Sequence, residues 1–226
     1  MIFFMDHTKL FFQDVYGSAS NFGQARPPWD IGEAQPAFVE LTEAGAVKGE
    51  VLDAGSGPGW VSLFIASQGH AVTGIDLSAD AVEAANAKAA DSGVNATFAV
   101  GDLLDLSEYR GRFDTVVECG VCHGLGADPG PQYARSLYGA TKLGAVAHLL
   151  NLSVEGYETA GVRCAELGVP PQALAGFHAV TPEDLRAAFA EGWSEVSITE
   201  SRMKLRFPGD TGPVELSAWL STFRHD

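Results

Sequence analysis

The sequence predicts an α/β fold, a doubly wound Rossmann-like sheet with helices on both faces, and three observations carry it. The first is VLDAGSGPGW at 51–60, an apolar run that reaches an acid and then glycines at every second position. It reads as a buried strand turning sharply into a helix, because glycine accepts positive φ and puts no Cβ between backbone and ligand. The second is the alternation of short apolar runs with helical periodicity from residue 49 to 152, the rhythm of a parallel sheet with right-handed crossovers. The third is the ending, two β-rich runs at about 193–206 and 214–223 around Pro208, Gly209, Gly212 and Pro213, which read as a hairpin closing the sheet.

Taken in order, residues 1–32 are irregular, and two prolines beside Trp29 mark an ordered loop, either a surface arm or a pocket cover. Periodicity predicts a helix over 33–47 with Phe38, Leu41 and Ala44 on one face. Strand one is expected at 49–54 and its helix at 59–68, stopped by Gly69. Strand two covers 71–75 and ends in Asp76; Ser78 then caps an alanine-rich helix at 79–92. Strand three, 95–100, ends at Gly101-Asp102, and strand four covers 113–118. A glycine-rich loop at 120–131 leads to a helix at 131–142 and a fifth strand at 145–152. The segment 153–180 is long for a connection, so it is helical or covers a site. Thr181-Pro182-Glu183-Asp184 starts a helix that Gly192 ends: a threonine cap, proline in the first position, acids in the first turn. The 226 residues suit a single domain, with 1–48 as a lid and 153–180 as a substrate cover.

Composition narrows the class. Hydrophobic residues make up 46% and charged residues 19%, ordinary for a globular protein. A net charge of −15 without a basic stripe argues against a nucleic-acid partner, since phosphate contacts need clustered Lys and Arg. Cys119, Cys122 and Cys164 make no disulfide framework, and the C-x-x-C pair lacks a second ligand pair, so no metal is expected. The aromatic N-terminus is broken by Asp6, His7 and Lys9, too short and polar for a signal peptide or membrane span. The expectation is a cytoplasmic protein without a membrane partner, a monomer or homodimer.

In open α/β sheets, ligands sit beyond the carboxyl ends of the strands where strand order reverses. The glycine turn, Asp76 and Asp102 converge there. A carboxylate at Asp76 can accept both ribose hydroxyls, and one at Asp102 can reach an adenine amine. The pattern therefore points to an adenosine-bearing ligand. A dinucleotide wants G-x-G-x-x-G, and the spacing here is G-x-G-x-G. Asp53 in the turn suits an ammonium and opposes a pyrophosphate. The charge argument favours S-adenosylmethionine over NAD.

These residues resemble the class I S-adenosylmethionine-dependent methyltransferases over about 30–225. VLDAGSGPG looks like their first motif, GIDLS their second, VGDLLDL their third and FDTVVECGVCHGL their fourth. The resemblance implies strand order 3-2-1-4-5-7-6 with the last strand antiparallel. It implies that Asp53, Ala54, Gly55, Gly57 and Gly59 hold the methionine end. Asp76 would take the ribose, Leu77 would lie on the adenine, and Gly101, Asp102 and Leu103 would meet its edge. Glu118 would border the sulfonium, and Trp29 and Gln35 would close over the cofactor. The segment PPWDIGEAQPAFVEL is similar to bacterial small-molecule methyltransferases related to thiopurine methyltransferase. The implied reaction moves a methyl to O, N or S of a small aromatic or heterocyclic acceptor, leaving S-adenosylhomocysteine. An NAD-dependent oxidoreductase and a non-catalytic S-adenosylmethionine-binding protein are the alternatives. His123, after strand four, is the first candidate base; His178 and Tyr157, in the cover, are further candidates to meet the acceptor.

Overall fold

The computed structural model describes residues 15–16, 26–125, 130–168, 177–207 and 209–226. Helix α1 (Pro36–Glu43) precedes β1 (Glu50–Ala54), α2 (Trp60–Ser67), β2 (Ala71–Asp76), α3 (Ala79–Ser92) and β3 (Ala96–Val100). There follow β4 (Phe113–Cys119), α4 (Val121–Leu125), α5 (Gly130–Ala140), β5 (Thr141–Leu152) and α6 (Val154–Glu166). Helix α7 (Pro182–Ala188) and the hairpin β6 (Trp193–Leu205) and β7 (Val214–His225) close the chain.

One seven-stranded sheet runs β3-β2-β1-β4-β5-β7-β6, the expected order. The five inner strands pair in parallel, and β7 inserts antiparallel against β5 and β6. Period-two alternation splits the apolar residues between the two faces of the sheet. Val51, Val117 and Leu150 enter one core with Phe38 and Ile65 of the flanking helices. Their neighbours Leu52, Val116 and Leu149 enter the other, with Tyr133, Leu137, Phe189 and Trp193.

The start signals act as read. Ser78 Oγ accepts from Ala81 N, and Thr181 with Asp184 forms a full capping box. Boundaries differ elsewhere. Helix α7, expected to run to Gly192, stops at Ala188. The first helix spans only Pro36–Glu43, because Pro36 sits at its first position and Gly45 turns at φ +72° just beyond. Ala44, placed on its buried face by periodicity, is exposed. The loop at 120–131 contains α4, and β5 begins four residues early, at Thr141. The segment after β5 is helical over α6, capped by Ser153 Oγ on Gly156 N.

Candidate functional site

Strand order reverses beside β1: the chain moves outward to β2 and β3, then returns to β4 on the other side. Beyond the carboxyl ends of β1 and β4 lies a cavity of about 310 Å³. Gly55, Ser56 and Gly57 form one wall, and Cys119, Gly120 and Val121 the facing one.

The glycine turn is held by the neighbouring strand. Gly55 N and Ser56 N donate to Ile75 O at 2.8 and 3.1 Å, and Gly57 N donates to Asp76 Oδ2 at 2.7 Å. Asp76 Oδ1 accepts from Ser78 N at 2.9 Å, so one carboxylate fixes both the turn and the start of α3. Burial pushes its carboxyl up, and these backbone donors pull it back. Asp53 is buried and accepts from Ser62 Oγ at 2.6 Å; desolvation pushes it up to about 7 against that bond. Gly59 caps α2 at φ +84°, with Phe98 and Ala85 packed where a Cβ would stand. Ser56 Oγ is buried without a hydrogen-bond partner among the described residues and lines the cavity, a hydroxyl left for a bound group.

Of the residues singled out by sequence, Trp29, Gln35, Asp53, Gly55, Gly57, Asp76, Leu77, Asp102 and Leu103 line this cavity, as do His123 and Tyr157. Ala54, Gly59, Gly101, Glu118 and His178 do not. Ala54 is wholly inside the second core. Gly101 N donates to Asp76 O at 2.9 Å, which ties β3 to β2. Glu118 is fully buried and faces α4. Its Oε1 accepts from Val121 N and from Cys122 N at 3.4 Å, and its Oε2 accepts from Asn151 Nδ2 at 3.0 Å. Burial pushes Glu118 up to about 7. It is a cap for the loop that walls the cavity and does not itself line it.

The histidines correct the reading most. His123 Nε2 accepts from Leu152 N at 2.6 Å, so its proton sits on Nδ1 and goes to His178 O at 2.8 Å. His178 N and Nδ1 both donate to His123 O, at 3.0 and 2.9 Å. Desolvation drives His123 down to about 4. No lone pair of His123 is left for an acceptor. His178 donates its Nδ1 proton in the same clasp, and it does not line the cavity. Tyr157 stacks over His123 with ring centroids 6.3 Å apart, and its hydroxyl donates to Phe177 O at 2.9 Å.

The described residues ahead of α1 are tied to the body of the fold. Trp29 Nε1 donates to Tyr16 Oη at 2.9 Å, and Asp30 accepts from Trp60 Nε1 at 2.8 Å. Both ends of the Gln35 amide pair with the Lys204 backbone, at 2.8 and 2.9 Å. Gln35 thus spends its polar groups on β6. Sequence reasoning missed part of the wall: Ala160, Gly161 and Cys164 of α6, Met203 and Leu205 of β6, and Phe207. With Tyr157, the α6 residues follow i, i+3, i+4 and i+7 spacing, so the segment is both of the alternatives its length suggested, a helix and one wall of the site. The lining carries five carboxylates, Glu33, Asp53, Asp76, Asp102 and Glu158, and among described residues no lysine or arginine.

A methyltransferase-domain model matches residues 51–144, the stretch that builds both walls of the crevice. The chain is 32% identical over 195 residues to 2-heptyl-1-hydroxyquinolin-4(1H)-one methyltransferase of Mycobacteroides abscessus, covering 86% of this chain and 80% of that protein. The chain belongs to the class I S-adenosylmethionine-dependent methyltransferases. A solved structure described as "Conversion of a Disulfide Bond into a Thioacetal Group during Echinomycin Biosynthesis" superposes on this methyltransferase with a TM-score of 0.90. It shares 41% identity and covers 97% of this chain and 92% of its own. Magnesium protoporphyrin IX methyltransferase from Synechocystis, solved with S-adenosylhomocysteine bound, shares the fold at a TM-score of 0.63 and 20% identity, over 84% and 80% of the two chains. S-adenosylmethionine is the cofactor of this methyltransferase. The crevice suits it: a buried Ser56 hydroxyl without a partner among the described residues, and carboxylates for a cationic ligand. No helix among the described residues is long and apolar enough to cross a membrane.

Proposed function

We propose that this methyltransferase modifies a heteroatom (O, N or S) of a small, ring-bearing, uncharged acceptor. The observation that carries this is the lining: aromatic and sulfur-bearing side chains from Trp29, Tyr157, Phe177, Cys164, Met203 and Phe207 with five carboxylates and, among the described residues, no lysine or arginine. An apolar ring gains from such walls, and an anionic acceptor would meet like charge in a partly dry site. The net charge of −15 supports the same exclusion for nucleic acid, and a cytoplasmic, single-domain enzyme fits the sequence. The names of two relatives, a hydroxyquinolone methyltransferase and a disulfide-to-thioacetal conversion, support ring-bearing or sulfur-containing acceptors. The finer likeness to thiopurine methyltransferase rests on the PPWDIG segment alone.

Bound S-adenosylmethionine supplies a methyl group already activated on a sulfonium. The residues then have to align and dehydrate. Asp53 would meet the ammonium, the Ser56 hydroxyl would meet the carboxylate, and Asp76 would take the ribose hydroxyls with the lone pairs that Gly57 N and Ser78 N leave over. Asp102 and Leu103 edge the adenine, and Leu77 covers it. The segment around Trp29, with α6, covers the acceptor and excludes water; such alignment contributes on the order of 7–11 kcal/mol.

The test combines acceptor and cofactor. Methyl transfer is followed over hydroxyquinolones, phenols, thiols and cyclic disulfides, with organic anions such as benzoates as the opposing class. Transfer to the uncharged rings is expected, and a preference for the anions would refute the reading. Asp76→Ala should weaken S-adenosylmethionine on the order of a hundredfold, because charged hydrogen bonds contribute about 1.5–3 kcal/mol each. Unchanged affinity would reject the ribose role.

A further inference from the structure

With both ring nitrogens of His123 engaged and His178 outside the cavity lining, another group near the acceptor has to take a proton. Methylating a heteroatom that still carries hydrogen leaves a protonated, positively charged product, and that proton must go somewhere. The cavity lining offers few receivers. Asp53 is held by Ser62 and Asp76 by two backbone amides, both at the cofactor turn. Asp102 accepts from Leu104 N at 3.0 Å at the end of β3. Glu33 pairs with Lys204 Nζ at 3.0 Å. Tyr157 keeps its proton and donates a hydrogen bond to Phe177 O, and burial pushes the thiols of Cys119 and Cys164 up, so they stay protonated.

Glu158 remains. It lines the same cavity and makes no hydrogen bond or ion pair among the described residues. Its position on α6 sets it beside the face that carries Tyr157, Gly161 and Cys164, residues that also line the cavity. The rigid part of that helix is fixed by the Ser153 cap and by Cys164 in the core, so the carboxylate is carried on a firm element while its end is free.

We propose that Glu158 is the catalytic base of this methyltransferase and that its acceptors therefore include uncharged O–H, N–H or S–H groups. The balance is simple. The acceptor lone pair forms a bond to the methyl carbon as the carbon–sulfur bond breaks, its electron pair staying on what becomes S-adenosylhomocysteine. The hydrogen on the acceptor atom passes to the Glu158 carboxylate and from there to water at the rim. This inference rests on the acceptor reading above and adds the residue that handles the proton.

The test is Glu158→Gln with a series of para-substituted phenols and thiophenols of graded acidity, beside dialkyl sulfides that have no proton to lose. The substitution should cut kcat/KM at least tenfold for the weakest acids, with the loss shrinking as the acceptor grows more acidic or as pH passes its pKa. The Kd for S-adenosylmethionine, read by calorimetry without any acceptor, should stay within twofold, and Glu158→Asp should recover part of the rate. An equal loss across the series, or no loss, overturns the assignment. A wild type that methylates the sulfides and none of the protic probes overturns it too, yet leaves the wider acceptor reading standing. Methylation of neither set sinks both.

Discussion

Replacing Gly59 by alanine separates two costs that the cofactor turn imposes. Gly59 sits at φ +84°, where an L residue pays about 1–2 kcal/mol. Its new Cβ would also stand 2.8 Å from Phe98 Cζ and 2.9 Å from Ala85 Cβ. Phe98 and Ala85 are both buried in the first core, so neither can step aside freely, and forced overpacking costs about 1–3 kcal/mol. The sum is about 2–5 kcal/mol, which for a chain of this size lowers Tm by roughly 2–4 °C per kcal/mol. Gly69 is the control. It also has positive φ, +97°, but nothing lies within 4 Å of its would-be Cβ, so Gly69→Ala pays the backbone cost alone. Urea unfolding of both variants, with thermal melts beside them, gives the difference directly. Gly59→Ala should be the less stable by about 1–3 kcal/mol. Equal midpoints would refute the claim that close packing, and not only backbone conformation, requires glycine there.

Two further outcomes are expected. Glu118 is held at about 7 inside the protein against 4.5 for a free side chain, so the fold binds its proton more tightly than the unfolded chain does. Its contribution is fully present at low pH and is lost as pH rises through 7, by at most about 1.4 kcal/mol per pH unit. Glu118→Gln should therefore gain stability relative to wild type between pH 5 and 8; a constant gap in urea midpoints would reject this. His123→Asn should cost about 2–4 kcal/mol, because it leaves buried partners at Leu152 N and His178 O unpaired. It should raise the acceptor KM while sparing cofactor affinity and the shape of the pH–rate profile. Loss of a titrating limb from that profile would restore His123 as a base. Wild-type His123, neutral and near 4 in the fold, contributes stability that is lost as pH falls from 6.5 toward 4.

What could be read from the residues alone was whatever depends on neighbours in sequence. The glycine turn, the Ser78 and Thr181 caps, the strand-end acids and the closing hairpin all announce themselves within a few positions. The partnership of His123 with His178 spans 55 residues and runs through backbone groups, so nothing in either neighbourhood betrays it. Glu118 misled for a related reason. An acid at a strand end suggests a ligand, and only the structure shows it turned toward α4 and Asn151. Glu158 drew no notice because a lone acid on an amphipathic helix is ordinary until its face is known to border a cavity.

The seam between Gln35 and Lys204 joins positions 169 apart in the chain, and Arg206 N to Pro28 O at 2.7 Å lengthens it. During synthesis the central strands can pair while this seam still waits for the last hairpin to emerge. The acceptor compartment is thus completed late, from segments far apart in the chain, and a chain lacking the hairpin holds a cofactor cradle without the wall that encloses an acceptor.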